Sequence, residues 1–128
     1  MQIKKLTPNL IVQNVEASLK FYREVLGLET AMTVPEQSPY VFAGVSNGTV
    51  EIFFNDQKVV AAEYLGLATP IRASLTLYME VDSLQAVLER VQKAGAKIAM
   101  PVTEQFYGMK EFAFEDVDGY TITIAEKM

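Results

Sequence analysis

A chain of 128 residues makes one domain, and one of this size buries a proper core, hiding roughly two-thirds of the surface it exposes when unfolded. Its net charge of -5 disfavours nucleic acid as a partner, because phosphate binding needs a positive surface, and tolerates a neutral or cationic small ligand. The absence of Cys and His removes disulfides, thiolate nucleophiles and the usual acid–base pairings; no apolar run approaches the ~20 residues that cross a bilayer, and the start lacks a signal-peptide core, so a soluble cytoplasmic protein with no membrane partner is expected.

Leu6 to Gln13 is a short run rich in apolar and β-branched residues and reads as a strand. Asn14 is a fair helix N-cap, and Glu16 adds negative charge in the first turn. Leu19, Tyr22 and Leu26 fall at helical spacing, with Phe21 and Val25 widening the stripe, and Gly27 ends the helix as a left-handed cap. Leu28 to Val34 and Tyr40 to Val45 read as strands. Asn47-Gly48 is a strong hairpin signal, and Thr49 to Phe54 is the returning strand. A connection from Asn55 to Arg72 holds a short helix near Val59 to Leu65. Ala73 to Val81 is an alternating strand. Asp82 or Ser83 then caps a helix with apolar positions Leu84, Val87, Leu88 and Val91, ended by Gly95. Lys97 to Met100 is a strand closed by Pro101. Lys110 to Glu115, a turn at Asp116-Val117-Asp118-Gly119, and Tyr120 to Ala125 complete the chain.

Each half therefore reads β-α-β-β-β, in modules of about residues 1–56 and 73–128 joined by residues 57–72. Val12 to Gly27 spans 15 positions and Val81 to Gly95 spans 14; Gly27 to Gly48 spans 21 and Gly95 to Gly119 spans 24. Similar intervals in the same order point to a structural duplication.

Alternation assigns the strand faces, because successive side chains point to opposite sides. Val50, Ile52 and Phe54 form a core side, so Glu51 and Phe53 face the other way. Ile122 and Ile124 do the same for Thr121 and Thr123. Leu75, Leu77, Met79 and Val81 point inward, and Thr76, Tyr78 and Glu80 away. Thr7 and Asn9 lie on the corresponding face of the first strand. Two readings of this surface stay open: the solvated side of an antiparallel sheet, or a sheet curved around a polar-aromatic pocket. Tyr40, Phe42, Phe106 and Tyr107 are stacking walls in the second reading, although Phe42 also suits the core, and Met100, Met109 and Tyr107 would line an adaptable mouth. Glu51 is either an exposed sheet glutamate or a cavity carboxylate. In the cavity it would bind a ligand ammonium, or act as a general base if burial raised its pKa. No Walker A or GxGxxG loop exists, no serine has a visible activating partner, and Asp116 and Asp118 suit turn chemistry.

Four stretches carry a resemblance. They are Pro8 to Val12 with Val15 to Tyr22; Val25-Leu26-Gly27-Leu28; Val50 to Asn55; and Asp116-Val117-Asp118-Gly119-Tyr120. Together they resemble the vicinal oxygen chelate superfamily, which includes glyoxalase I, extradiol dioxygenases and bleomycin-resistance proteins. The stretch Phe106 to Phe112 looks like a feature of an uncharacterised branch. The resemblance implies an α+β fold of two βαβββ modules with curved antiparallel sheets, arranged as a homodimer around a cupped site. Metal-dependent members place one ligand on each of four strands, and that pattern falls here on Thr7, Glu51, Thr76 and Thr123. Three neutral hydroxyls and one carboxylate are a poor set for Zn, Ni or Fe. The expectation is a metal-free, cofactor-free binder of a cationic or aromatic small molecule, in the manner of bleomycin-resistance proteins. Its ligand residues would be Thr7, Asn9, Glu51, Phe53, Thr76, Tyr78, Tyr107 and Thr123, with no catalytic residue unless Glu51 is one. A glyoxalase-like lyase, isomerase or dioxygenase with an atypical metal site, and an accessory protein with a vestigial pocket, are the alternatives.

Overall fold

A computed structural model describes residues 1–63 and 75–128 of the chain. Its elements are β1 (Asn9–Val12), α1 (Val15–Leu26), β2 (Glu29–Val34), β3 (Phe42–Ser46), β4 (Glu51–Asp56), α2 (Gln57–Glu63), β5 (Thr76–Glu80), α3 (Leu84–Ala94), β6 (Ile98–Glu104), β7 (Met109–Glu115) and β8 (Thr121–Lys127). The order β-α-β-β-β occurs twice, as expected, giving an α+β fold. The end of the short helix expected near Val59 to Leu65, and the start of the strand expected from Ala73, lie outside the described residues. The chain divides into two compact units, one holding the sheet β1-β4-β3-β2 and the other the sheet β5-β8-β7-β6.

In the first unit the Asn14 side chain caps α1, accepting from the Ala17 N–H at 2.8 Å, and Gly27 closes the helix at φ 68°. Tyr22 of α1 lies over the sheet, its ring centroid 4.8 Å from that of Phe54. The strand register puts Leu10, Val12, Ala43, Val45, Ile52 and Phe54 on that one face, and all six are buried. The sheet is mixed rather than wholly antiparallel, because β1 runs parallel to β4. The physical reason is the crossover: α1 returns the chain so that β2 runs like β1, and two hairpin reversals later β4 does too. The first strand is also shorter than the run Leu6 to Gln13. Pro8 has no N–H to donate, and Leu6 is exposed. Val50 is not part of the core side. It sits in the β3–β4 loop, where the Asn47 side-chain oxygen accepts from the N–H groups of Thr49 and Val50 at 2.9 and 2.8 Å.

The second unit repeats the plan. Ser83, not Asp82, caps α3 by accepting from the Ala86 N–H at 3.2 Å, and Gly95 ends it at φ 70°. Leu84, Val91, Phe112, Phe114, Ile122 and Ile124 are among its buried apolar side chains. β5 lies parallel to β8 for the reason given above. Leu75 precedes β5 and is exposed rather than turned inward. Pro101 does not close β6, which runs on to Glu104. β6 is an edge strand and its pairing with β7 shifts register between Met100 and Thr103, so the missing N–H leaves no ladder bond unmade.

Candidate functional site

Each unit has a polar-aromatic sheet face opposite its helix. In the first, the register lines up Asn9, Glu51, Phe53, Asn55, Phe42 and Gly44 on that face. Lys5 forms an ion pair with Glu51 at 2.6 Å, and the Thr7 hydroxyl donates to the same carboxylate oxygen at 3.2 Å. The Lys5 hydrogen bond and charge therefore hold the Glu51 carboxyl below its ordinary range. The condition on which Glu51 would act as a general base, a pKa raised by burial, is not met: partial burial pushes upward but is outweighed. The ammonium that Glu51 was expected to receive from a ligand is already supplied by the chain's own Lys5. Asn55 donates its side-chain N–H to the Asn9 side-chain oxygen at 2.9 Å. Phe53 lies beside Asn9 in the register and meets Phe42 edge-on with ring centroids 5.0 Å apart. Phe42 thus belongs to the polar-aromatic face and not to the core under α1. The Phe53 ring lies across Gly44, where a Cβ would come within 3.2 Å of both Phe53 and Met32.

In the second unit, the Thr76 hydroxyl sits 2.7 Å from that of Thr123 and 3.2 Å from the Thr121 carbonyl oxygen. The two threonines satisfy one another. The larger cluster was only partly foreseen. Glu111 of β7, 3% exposed, receives the Tyr78 hydroxyl at 2.5 Å, the Tyr107 hydroxyl at 2.8 Å and the Gln105 side-chain N–H at 3.3 Å. These donors hold the Glu111 carboxyl below its ordinary range despite burial. The same bonds raise both phenols, Tyr78 to about 12. Tyr78 and Tyr107, expected at the site separately, are thus brought together by a residue that was not expected there. The signal was available: with Phe112 and Phe114 buried as core, alternation turns Glu111 to the face of Thr123 and Tyr78. Met100 shares that face as well. Phe106, at the β6–β7 turn, is 99% exposed and meets Tyr107 edge-on at 5.2 Å.

A transition metal does not fit the four family positions. Thr7 donates to Glu51, Glu51 is neutralised by Lys5, and Thr76 and Thr123 share a hydrogen bond. Among the described residues, no group of three His, Cys, Asp or Glu side chains gathers as a metal site elsewhere.

The comparisons with known proteins bear on the fold. A glyoxalase/bleomycin resistance protein/dioxygenase family enzyme from Burkholderia phytofirmans PsJN is 21% identical, with a TM-score of 0.80 over 95% of this chain and 97% of that one. A glyoxalase-related enzyme from Fulvimarina pelagi is 19% identical, with a TM-score of 0.81 over 97% and 88%. TioX from Micromonospora sp. ML1 is 13% identical, with a TM-score of 0.78 over 98% and 99%. No curated protein matches the chain. The family model described as Glyoxalase/Bleomycin resistance protein/Dioxygenase superfamily matches residues 3–124, and the chain belongs to that superfamily.

Proposed function

We propose that this protein binds a small cationic or aromatic molecule without a metal ion and without changing a bond in it. One observation carries the reading. The side chains at the four metal-ligand positions are spent on one another and on Lys5, so what the two faces offer a guest is aromatic surface and hydrogen bonding. The acidic balance of the chain favours a cationic guest. The reading includes a homodimer, supported by the half-exposed Met32 and Val34 on edge strand β2 and Ile98 and Val102 on edge strand β6. Elemental analysis of purified protein, paired with thermal-shift screening of aromatic and cationic compounds, is the test. A binder held at about 100 times its dissociation constant stabilises by ~2.7 kcal/mol. Tightly held stoichiometric Zn, Ni, Fe or Mn overturns the metal-free reading. A broad library that shifts nothing overturns the binding reading.

A further inference from the structure

Glu111 and Glu51 occupy sheet faces of corresponding modules but differ in what neutralises them. Glu51 has Lys5. Glu111 has three neutral donors and, among the described residues, no Lys or Arg in ion-pair contact, so a full negative charge sits beneath the surface of the second unit. Glu111 is 3% exposed and each of its carboxylate oxygens already accepts a hydrogen bond. It therefore attracts a cation without offering a ready acceptor to an ammonium N–H.

The two phenols above it supply the contact surface. Tyr78 is 53% and Tyr107 52% exposed although both hydroxyls are tied to Glu111, so the exposure falls on the rings. A phenol that donates to a carboxylate gains electron density on its ring, which strengthens attraction to a cation over its face. Phe106 adds a third exposed ring next to Tyr107, and Glu80 adds a second carboxylate on the face of Tyr78. An apolar cation is matched to this surface and a strongly hydrated one is not.

We propose that Tyr78, Tyr107 and Phe106, over the buried Glu111 carboxylate, form a binding site for a quaternary ammonium group attached to an apolar body. The proposal rests on the metal-free binding reading and narrows it to one unit and one ligand class. The recognised charge is diffuse and carries no N–H, which separates this site from one built to hydrogen-bond a primary amine.

The probe is benzyltrimethylammonium, titrated into the full chain by calorimetry and followed by NMR, with benzylammonium and neutral benzyl alcohol alongside. The expected order is benzyltrimethylammonium tightest and benzyl alcohol weakest, with resonances of Tyr78, Tyr107 and Phe106 moving. Glu111→Gln and Tyr78→Leu each weaken the quaternary probe by roughly five-fold, while Tyr78→Phe, which keeps the ring, loses less. If Glu111→Gln fails to fold, Tyr78→Leu and Phe106→Ala, both at exposed positions, carry the test. Equal binding of benzyl alcohol, or unchanged affinity in the folded variants, overturns the proposal. Probe binding that moves Phe42 and Phe53 instead overturns it but leaves the metal-free binding reading standing. A tightly held metal ion overturns that wider reading on its own.

Discussion

Glu111 keeps its charge in a buried position because phenols and an amide solvate it in place of water. The folded carboxyl lies below its ordinary range, so the stability it contributes is complete above that range and is lost as pH falls through the lowered folded value. Tyr78 has the opposite sign. Its pKa is raised from 10 to about 12, so its contribution is complete below 10 and is lost as pH climbs from there. Glu111→Gln removes the acceptor charge, and Tyr78 is then expected to ionise lower, back toward the ordinary tyrosine range, with burial and Glu80 still holding it up. A ¹³C NMR titration of the tyrosine ring carbons reads this directly; a Tyr78 midpoint that stays near 12 would mean that Glu111 is not the cause. Lys5→Ala makes the matching prediction for Glu51. Its carboxyl returns upward to the ordinary glutamate range, measured by side-chain carboxyl NMR, and an unmoved midpoint would assign the lowering to Thr7 alone. Sequence reading placed Glu51 on the right face but could not see Lys5, because the contact spans 46 positions of chain outside any regular strand pairing. Alternation along β7 does turn Glu111 to the face of Tyr78, but its burial beneath Tyr78 and Tyr107 depends on Tyr107 folding back across the β6–β7 turn, which alternation does not give.

The two capped helices let the duplication be tested energetically. Asn14 and Ser83 each satisfy one N–H in the first turn of α1 and α3, and their Ala variants should each cost about 1 kcal/mol in chemical denaturation. A cost confined to one helix would break the correspondence between modules. Gly44 poses a different constraint. A side chain there meets Phe53 and Met32 at 3.2 Å, so Gly44→Val should destabilise by roughly 1–3 kcal/mol through overpacking and displace the Phe53 ring, seen as shifted aromatic resonances. The helices were legible because caps, stripe and terminal glycine are local signals that agree; both αL glycines fall where the pattern put them. The parallel pairing of β1 with β4 was not, since direction in a sheet follows from the crossover and not from any residue in the strand. Pro101 misled for a related reason. Its meaning depends on β6 lying at an edge, which only the assembled sheet decides.

At the scale of the whole chain, the net charge of -5 sets a field that acts before any contact forms. The field falls off over about 10 Å at 0.1 M salt and about 3 Å at 1 M. A cationic guest should therefore associate more slowly and bind more weakly as salt rises, while a neutral aromatic guest of the same shape should not. The buried charge of Glu111 is screened less than the surface carboxylates, because ions do not reach it. Binding of a cation should thus fall with salt at first and then level off at a residual affinity above that of the neutral analogue. Calorimetric titrations from 0.05 to 1 M salt with roughly matched probes check this. A cation whose affinity collapses to that of the neutral probe at high salt would be held by the surface field alone. The plateau should vanish in Glu111→Gln, which leaves the surface charges untouched.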